Sequence, residues 1–375
     1  MNVGKKKHAK PVFKTKAKAG SEKYGPNGLY DSSTFENMNI SQEWTNLLVR
    51  VANHGLSRGT WSSYKTALKA LNRCGEEANT SMNFPLKQEQ VLTFVAWMTD
   101  RGLSAKTMQV YLAGIRQCHL VAGVELPVIR SPLVNMLIEG KKHLDAFKKK
   151  STGDCSRLPM TPALMKLLKE EIRLDNMTSH DKLVVWAVAT LAFNGAFRIH
   201  ELLSRKSSTY DPKVTLLSRD IIIKESYLGK EKIGIIQVLI KSEKKDRVGA
   251  GVIVDVYESG GDLCPLKALR KWLRTKVNSK QKHPAFCLES GKPLTGKAFN
   301  AMLKNLLAKH LKGYRRKVTS HSFRAGLASL MGKLGFSDND IMAIGRWSSR
   351  SFEAYLKLPR SKRLDMAKKI GKLGL

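Results

Sequence analysis

Residues 321–357 read HSFRAGLASLMGKLGFSDNDIMAIGRWSSRSFEAYLK, and this run decides how the rest of the chain is read. It holds His321-x-x-Arg324, then Gly345-Arg346-Trp347, then Tyr355, on what reads as three short helices. These side chains suit chemistry at a phosphodiester. Arginine grips phosphate oxygens through a planar fork of donors. Histidine and the tryptophan indole donate further hydrogen bonds. A phenol becomes a covalent nucleophile once its proton has an acceptor.

The composition points to the same partner. The chain has 375 residues, with 66 Lys plus Arg against 31 Asp plus Glu, a formal charge of +35. Such an excess calls for a polyanion, and nucleic acid is the first expectation, ahead of an anionic membrane surface. No apolar run reaches the ~18 residues of a transmembrane helix, and the basic N-terminal stretch has no apolar core of a secretory signal. Cys74, Cys118, Cys155, Cys264 and Cys287 are odd in number and widely spaced, with no C-x-x-C. A disulfide framework or zinc finger is therefore not expected, and a reducing compartment fits.

The fold expected is mainly α with a small antiparallel β-sheet, in two domains. Residues 1–38 read as a basic, disordered arm, with Lys5-Lys6-Lys7 as an import signal, a DNA-binding tail or simply a soluble end. Residues 39–147 read as a helical domain. Trp61, Tyr64, Leu68 and Leu71 recur at helical spacing, as do Val91, Phe94, Val95 and Met98. Ser104 is a candidate N-cap before Met108, Tyr111, Leu112 and Ile115, and Pro132 opens a further helix through Leu137. Lys65, Lys69, Arg73, Lys106 and Arg116 fall on polar sides, where they are either phosphate contacts or a solvated face. The polar, basic stretch 141–157 contains the linker, placed at 148–157.

The second domain is expected over 158–359. Thr161-Pro162 has the signature of a helix start. Residues 181–205 read as one largely buried helix ending in NGAFRIHELLSR. β-like runs follow at Asp220–Lys224, Ile233–Lys241 and Gly251–Tyr257, the last two joined by the charged turn SEKKDRVGA. Helices resume at Pro265–Val277 and Thr295–Lys312. In the tail, 360–375, Leu364, Ala367 and Ile370 recur at helical spacing, which suits either a helix docked on a neighbouring protomer or a frayed end.

With these pieces in order the chain resembles the tyrosine recombinase (integrase) family. The family's arginine in a G-x-x-R-x-x-E-L segment falls at Arg198 in GAFRIHELL, and its hairpin lysine at Lys244 in KSEKKDRVG. His321 and Arg324 lie in HSFRAG, Trp347 in GRWSS and Tyr355 in FEAYLK. The turn departs from the family form at Glu243 and Lys245, and Lys241 and Lys245 are the alternatives to Lys244. Within the family, the motif style is similar to recombinases of DIRS- and Ngaro-type retrotransposons.

The resemblance implies a helical, SAM-like core-binding domain and a catalytic domain that close as a C-shaped clamp on double-stranded DNA. It implies a homo-oligomer, a tetramer on two DNA sites, exchanging strands through a Holliday junction. Arg198 and Arg324 would clamp the scissile phosphate, with Glu201 orienting a catalytic cation and His200 structural. Tyr355 would attack, His321 would hydrogen bond or take the proton, and Lys244 would protonate the leaving 5′ oxygen. Trp347 would donate its indole N–H to phosphate and pack on the Tyr355 helix. A 3′-phosphotyrosine stores the bond energy, so no cofactor, metal or ATP is expected. Location would be nuclear in a eukaryote and nucleoid-associated in the cytoplasm otherwise. A type IB-like topoisomerase, a non-catalytic DNA-binding relative and a basic RNA-binding or ribosomal protein are the competing readings.

Overall fold

A computed structural model describes residues 39–83, 85–121, 127–152, 158–228, 230–241, 251–275, 283–312, 318–347 and 349–355. The chain divides into two compact units, residues 1–153 and 154–375. The basic arm, the turn carrying Lys244 and the C-terminal tail lie outside the described residues.

The first unit is helical: α1 (Gln42–His54), α2 (Arg58–Glu77), α3 (Gln88–Asp100), α4 (Ala105–Val121) and α5 (Pro132–Thr152). Serine hydroxyls begin three of these helices. Ser41, Ser57 and Ser104 accept from the backbone N–H of Trp44, Thr60 and Thr107, each satisfying a donor that the first turn leaves unpaired. Trp61, Leu71, Phe94, Met98, Met108 and Ile115 are fully buried between α2, α3 and α4, each contributing roughly 1.5–3 kcal/mol of burial. α2 and α4 cross closely at Gly114, where a Cβ would lie 2.9 Å from the Tyr64 ring.

α5 does not stop near Leu137. It continues to Thr152, through the first half of the linker placed at 148–157. Its polar half is tied to the unit: Asp145 accepts from the Ala105 backbone N–H at 2.7 Å and pairs with Lys141. These contacts keep a hydrophilic segment helical where composition alone suggests a connector.

The second unit surrounds α7 (Ser179–Asn194), in which every residue from Val184 to Phe193 is buried. Around it lie α6 (Pro162–Leu174), α8 (Ile199–Leu202), α9 (Pro265–Arg274), α10 (Gly296–Leu306), α11 (His321–Leu334) and α12 (Asp338–Gly345). Thr161 caps α6 with Pro162 at its first position, as its sequence suggests. β1 (Ile221–Leu228), β2 (Glu231–Ile240) and β3 (Val252–Tyr257) form an antiparallel sheet in that order. β2 buries Gly234, Ile236, Val238 and Ile240 on one face, against α9. β1 extends beyond the expected Lys224, because Glu225–Leu228 pair in register with Glu231–Gly234.

The single helix expected over 181–205 is broken. α7 ends at Asn194, Ala196 takes φ 45, and the short α8 starts after Arg198. The Phe197 ring folds back over Gly195, where a Cβ would lie 2.2 Å from Cε2. No helix among the described residues is long and apolar enough to cross a membrane.

Candidate active site

The break after α7 builds the first half of the site. Arg198 is the N-cap residue of α8, and its backbone N–H donates to Glu201 Oε2 at 2.9 Å. Its guanidinium Nη1 donates to Glu201 Oε1 at 2.8 Å. The Glu201 carboxylate is fully removed from solvent, and burial of an anion demands such partners. Glu201 is thus paired with Arg198, and the pair is made across a helix N-terminus rather than along one helix face. His200, in contrast, is exposed.

The second half comes from α11. His321 is its first residue and is exposed; Arg324, one turn on, is buried. The start of α11 is fixed by its neighbours. The Ser320 N–H donates to Asn300 Oδ1 at 2.7 Å, and Ser322 Oγ accepts from the Thr319 N–H at 3.0 Å. Met160 N–H donates to the Ser322 carbonyl at 2.8 Å. This approach explains the glycine of HSFRAG: a Cβ on Gly326 would lie 1.9 Å from the Met160 carbonyl oxygen.

Arg324 joins the two halves. Nη1 donates to the Ala196 carbonyl at 2.5 Å, two residues before Arg198, and Nη2 donates to the Gly345 carbonyl. Its guanidinium stacks over the Trp347 ring, 4.3 Å from the centroid. Bidentate phosphate binding by Arg324 would require these carbonyl contacts to be exchanged, since the same fork makes both.

Trp347 lies flat on Gly345, where a Cβ would be 1.6 Å from Cζ3. Its ring packs at 5.8 Å and 45° against Phe352, in the 3-10 segment Arg350–Tyr355. The expected packing of Trp347 on the tyrosine-bearing segment is thus present. Tyr355 is the last residue of that segment, and its side chain lies outside the described residues, as does Lys244.

Of the alternative lysines, Lys241 has a different occupation. Nζ pairs with Asp220, which also accepts from the Leu217 backbone N–H at 2.7 Å, and donates to the Pro212 carbonyl at 3.1 Å. Lys245 lies outside the described residues.

Arg346 is the residue that motif reading left without a role. It caps α12 in the left-handed conformation, φ 52. Nη1 donates to the Gly195 carbonyl at 3.0 Å, and Nη2 to Glu201 Oε2 at 2.8 Å. Its position inside the GRW motif is a signal, but its partner is 145 residues away in sequence.

On the first unit, Lys65, Lys69 and Lys106 are exposed and Arg116 is half-buried. Arg73 is engaged with Glu77 at 2.8 Å. Glu77 also accepts from the Trp97 indole N–H and pairs with Arg101; the Trp97 bond, then the two arginines, holds its carboxyl below the usual range.

In fold, the second unit and the helical first unit are similar to solved integrases and recombinases. The Tn1549 transposon integrase in complex with transposon right end DNA superposes with TM-score 0.54 at 12% identity, over 87% of this chain and 98% of that one. The XerH site-specific recombinase, in a post-cleavage complex with its palindromic difH substrate, superposes with TM-score 0.54 at 14% identity, over 89% of this chain and 85% of that one. No family model matches the chain, and no curated protein matches it in sequence. The mostly helical architecture with its three-stranded antiparallel sheet is the tyrosine recombinase fold of these neighbours.

Proposed function

We propose that this protein is a tyrosine-type site-specific DNA recombinase that cleaves and rejoins strands through Tyr355. The observation that carries the reading is the Arg324 bridge. One buried guanidinium holds the backbone beside Arg198 and the backbone beside Trp347, while Trp347 packs on the segment ending in Tyr355. Segments 128 positions apart in the chain are thereby held together, which supports reading the motifs as one site. The +35 charge supplies the attraction for duplex DNA, and affinity falls steeply with salt as counterions are released.

In the reaction the Tyr355 oxygen forms a bond to the scissile phosphorus and the bond to the 5′ oxygen breaks. The tyrosine proton passes to an acceptor, with His321 as the motif's candidate, and Lys244 protonates the departing 5′ oxygen. Positive charge from Arg198 and Arg324 stabilises the non-bridging oxygens as their charge grows. The reverse attack by a 5′-hydroxyl restores the phosphodiester without ATP or a metal. The motif style supports a mobile element of DIRS or Ngaro type as the DNA integrated or circularised. The family resemblance also supports a tetramer as the assembly and, in a eukaryote, a nucleus as the setting.

A nicked suicide substrate carrying the element's end, resolved on a denaturing gel, tests the reading. Wild type gives a covalent protein–DNA adduct and Tyr355→Phe gives none. An adduct that persists in Tyr355→Phe removes this tyrosine as the nucleophile.

A further inference from the structure

Arg346 sits in an unfavourable place for an arginine of no consequence. Residues with a Cβ rarely occupy the left-handed region, yet Arg346 adopts φ 52. The guanidinium is 12% exposed and lies 5.0 Å over the Phe197 ring. Its Nε is buried without a partner among the described residues. What it gains is a fork that spans the Gly195 carbonyl and the buried Glu201 carboxylate.

That carboxylate is the same one that holds Arg198. Arg198 Nη1 takes Oε1 at 2.8 Å, and Arg346 Nη2 takes Oε2 at 2.8 Å. A carboxylate beside a single guanidinium ordinarily takes it with both oxygens. Here Oε2, the oxygen that a bidentate Arg198 would share, is claimed by Arg346 and by the Arg198 backbone N–H. Two cations also stand on one anion. Arg198 paired with Glu201 alone would be neutral as a unit; with Arg346 the cluster keeps one net positive charge, in a site where phosphate charge is to be stabilised.

We propose that Arg346 is a positioning residue for Arg198, acting through Glu201. It fixes the direction of the Arg198 guanidinium and preserves the cluster's positive charge toward the scissile phosphate. The inference rests on the recombinase reading above. The turn that carries it is itself anchored by Arg324 at Gly345. The motif Gly345-Arg346-Trp347 thus ties both phosphate-clamp arginines together.

The test is single-turnover adduct formation by the full chain on two substrates, one with an ordinary scissile phosphate and one with a neutral methylphosphonate. Arg346→Met slows cleavage of the phosphate about tenfold to a hundredfold, with DNA affinity within about twofold of wild type. Arg346→Lys recovers part of the rate, since an ammonium keeps the charge but lacks the fork. On methylphosphonate, which builds less charge, Arg346→Met and Arg198→Ala both move back toward wild type. A purely structural Arg346 would slow both substrates alike, and that result overturns the proposal, as does a wild-type rate for Arg346→Met on phosphate. If Arg346→Met does not fold, Arg346→Lys carries the same comparison. A wild type that forms no adduct on either substrate overturns the recombinase reading, and this inference with it.

Discussion

The Arg324 guanidinium lies 4.3 Å from the centre of the Trp347 ring while its two Nη atoms hold the Ala196 and Gly345 carbonyls. A lysine could stack or donate, but it cannot reach both carbonyls in a planar fork. Arg324→Lys is expected to lower cleavage on the order of 100-fold or more and to lower the melting temperature. Trp347→Phe keeps an aromatic face for the cation and is expected to melt near wild type. Trp347→Ala leaves a gap beside Arg324 and Phe352 and is expected to be clearly less stable than Trp347→Phe. Denaturant melts of the three variants check the order; equal stability of Trp347→Ala and wild type would refute the stacking account.

Two glycines of the motif are required by space. Gly326→Ala places a methyl against the Met160 carbonyl, and Gly345→Ala places one in the Trp347 ring. Backbone cannot yield as a flexible side chain can, so Gly326→Ala is expected to destabilise by roughly 1–3 kcal/mol. Gly345→Ala is expected to displace the indole and reduce cleavage with a smaller change in stability. Thermal melts and adduct yields separate the two; a Gly326→Ala protein as stable as wild type would contradict the close approach.

The hairpin lysines are separable by leaving group. Lys241 pairs with the buried Asp220, and Lys241→Ala leaves that carboxylate uncompensated at a cost of about 3 kcal/mol. Its cleavage defect should persist on a substrate with a 5′-thio leaving group, which needs no acid. Lys244→Ala should instead be slow on the ordinary phosphate and near normal on the 5′-thio substrate. Rescue of Lys241→Ala, or equal slowing of both substrates by Lys244→Ala, would reassign the acid.

His119 gives the first unit a pH dependence. Its Nε2 accepts from the Leu86 N–H at 2.9 Å, so the ring is neutral, with Nδ1 donating to the Ile115 carbonyl. Burial lowers its pKa, against a smaller opposing effect of the Ile115 bond. The unfolded chain therefore takes up the proton first, and stability is complete above about pH 6.5 and falls as pH drops below it. Carboxylates such as Glu77, whose folded pKa is depressed, withdraw their contribution only at lower pH. Melts of wild type and His119→Gln between pH 8 and 5 check this: the variant should show a flatter profile, and parallel profiles would exclude His119 as the cause.

Much of the local structure was legible because its signals are local. A serine or threonine hydroxyl reaches the N–H two or three residues on, so Ser104 and Thr161 announce helix starts from their own sequence. The run of β-branched and aliphatic residues from Ile233 to Ile240 announces a strand. The order Arg198, Lys244, His321, Arg324, Trp347, Tyr355 is a property of the chain and identified the candidate chemistry.

The break between α7 and α8 carried one local signal, Asn194-Gly195, but a helix buried on all sides shows no period to end, and alanine at 196 is otherwise a helix former. The left-handed residue there goes with distant partners: the Phe197 ring lies on Gly195, and Arg346 and Arg324 hold the Gly195 and Ala196 carbonyls. The extent of α5 was hidden for the opposite reason: its polar residues are held by Ala105, a distant partner.

By itself, then, the sequence determined the helix caps, the small sheet, the basic charge and the six chemical residue types in order, since each is set by neighbours in the chain. The tertiary structure decided which arginine bonds which carbonyl or carboxylate. Arg324, Arg198 and Arg346 carry the same guanidinium, and what distinguishes them is burial and the partners brought near by folding: Ala196 and Gly345 for the first, Glu201 shared between the other two.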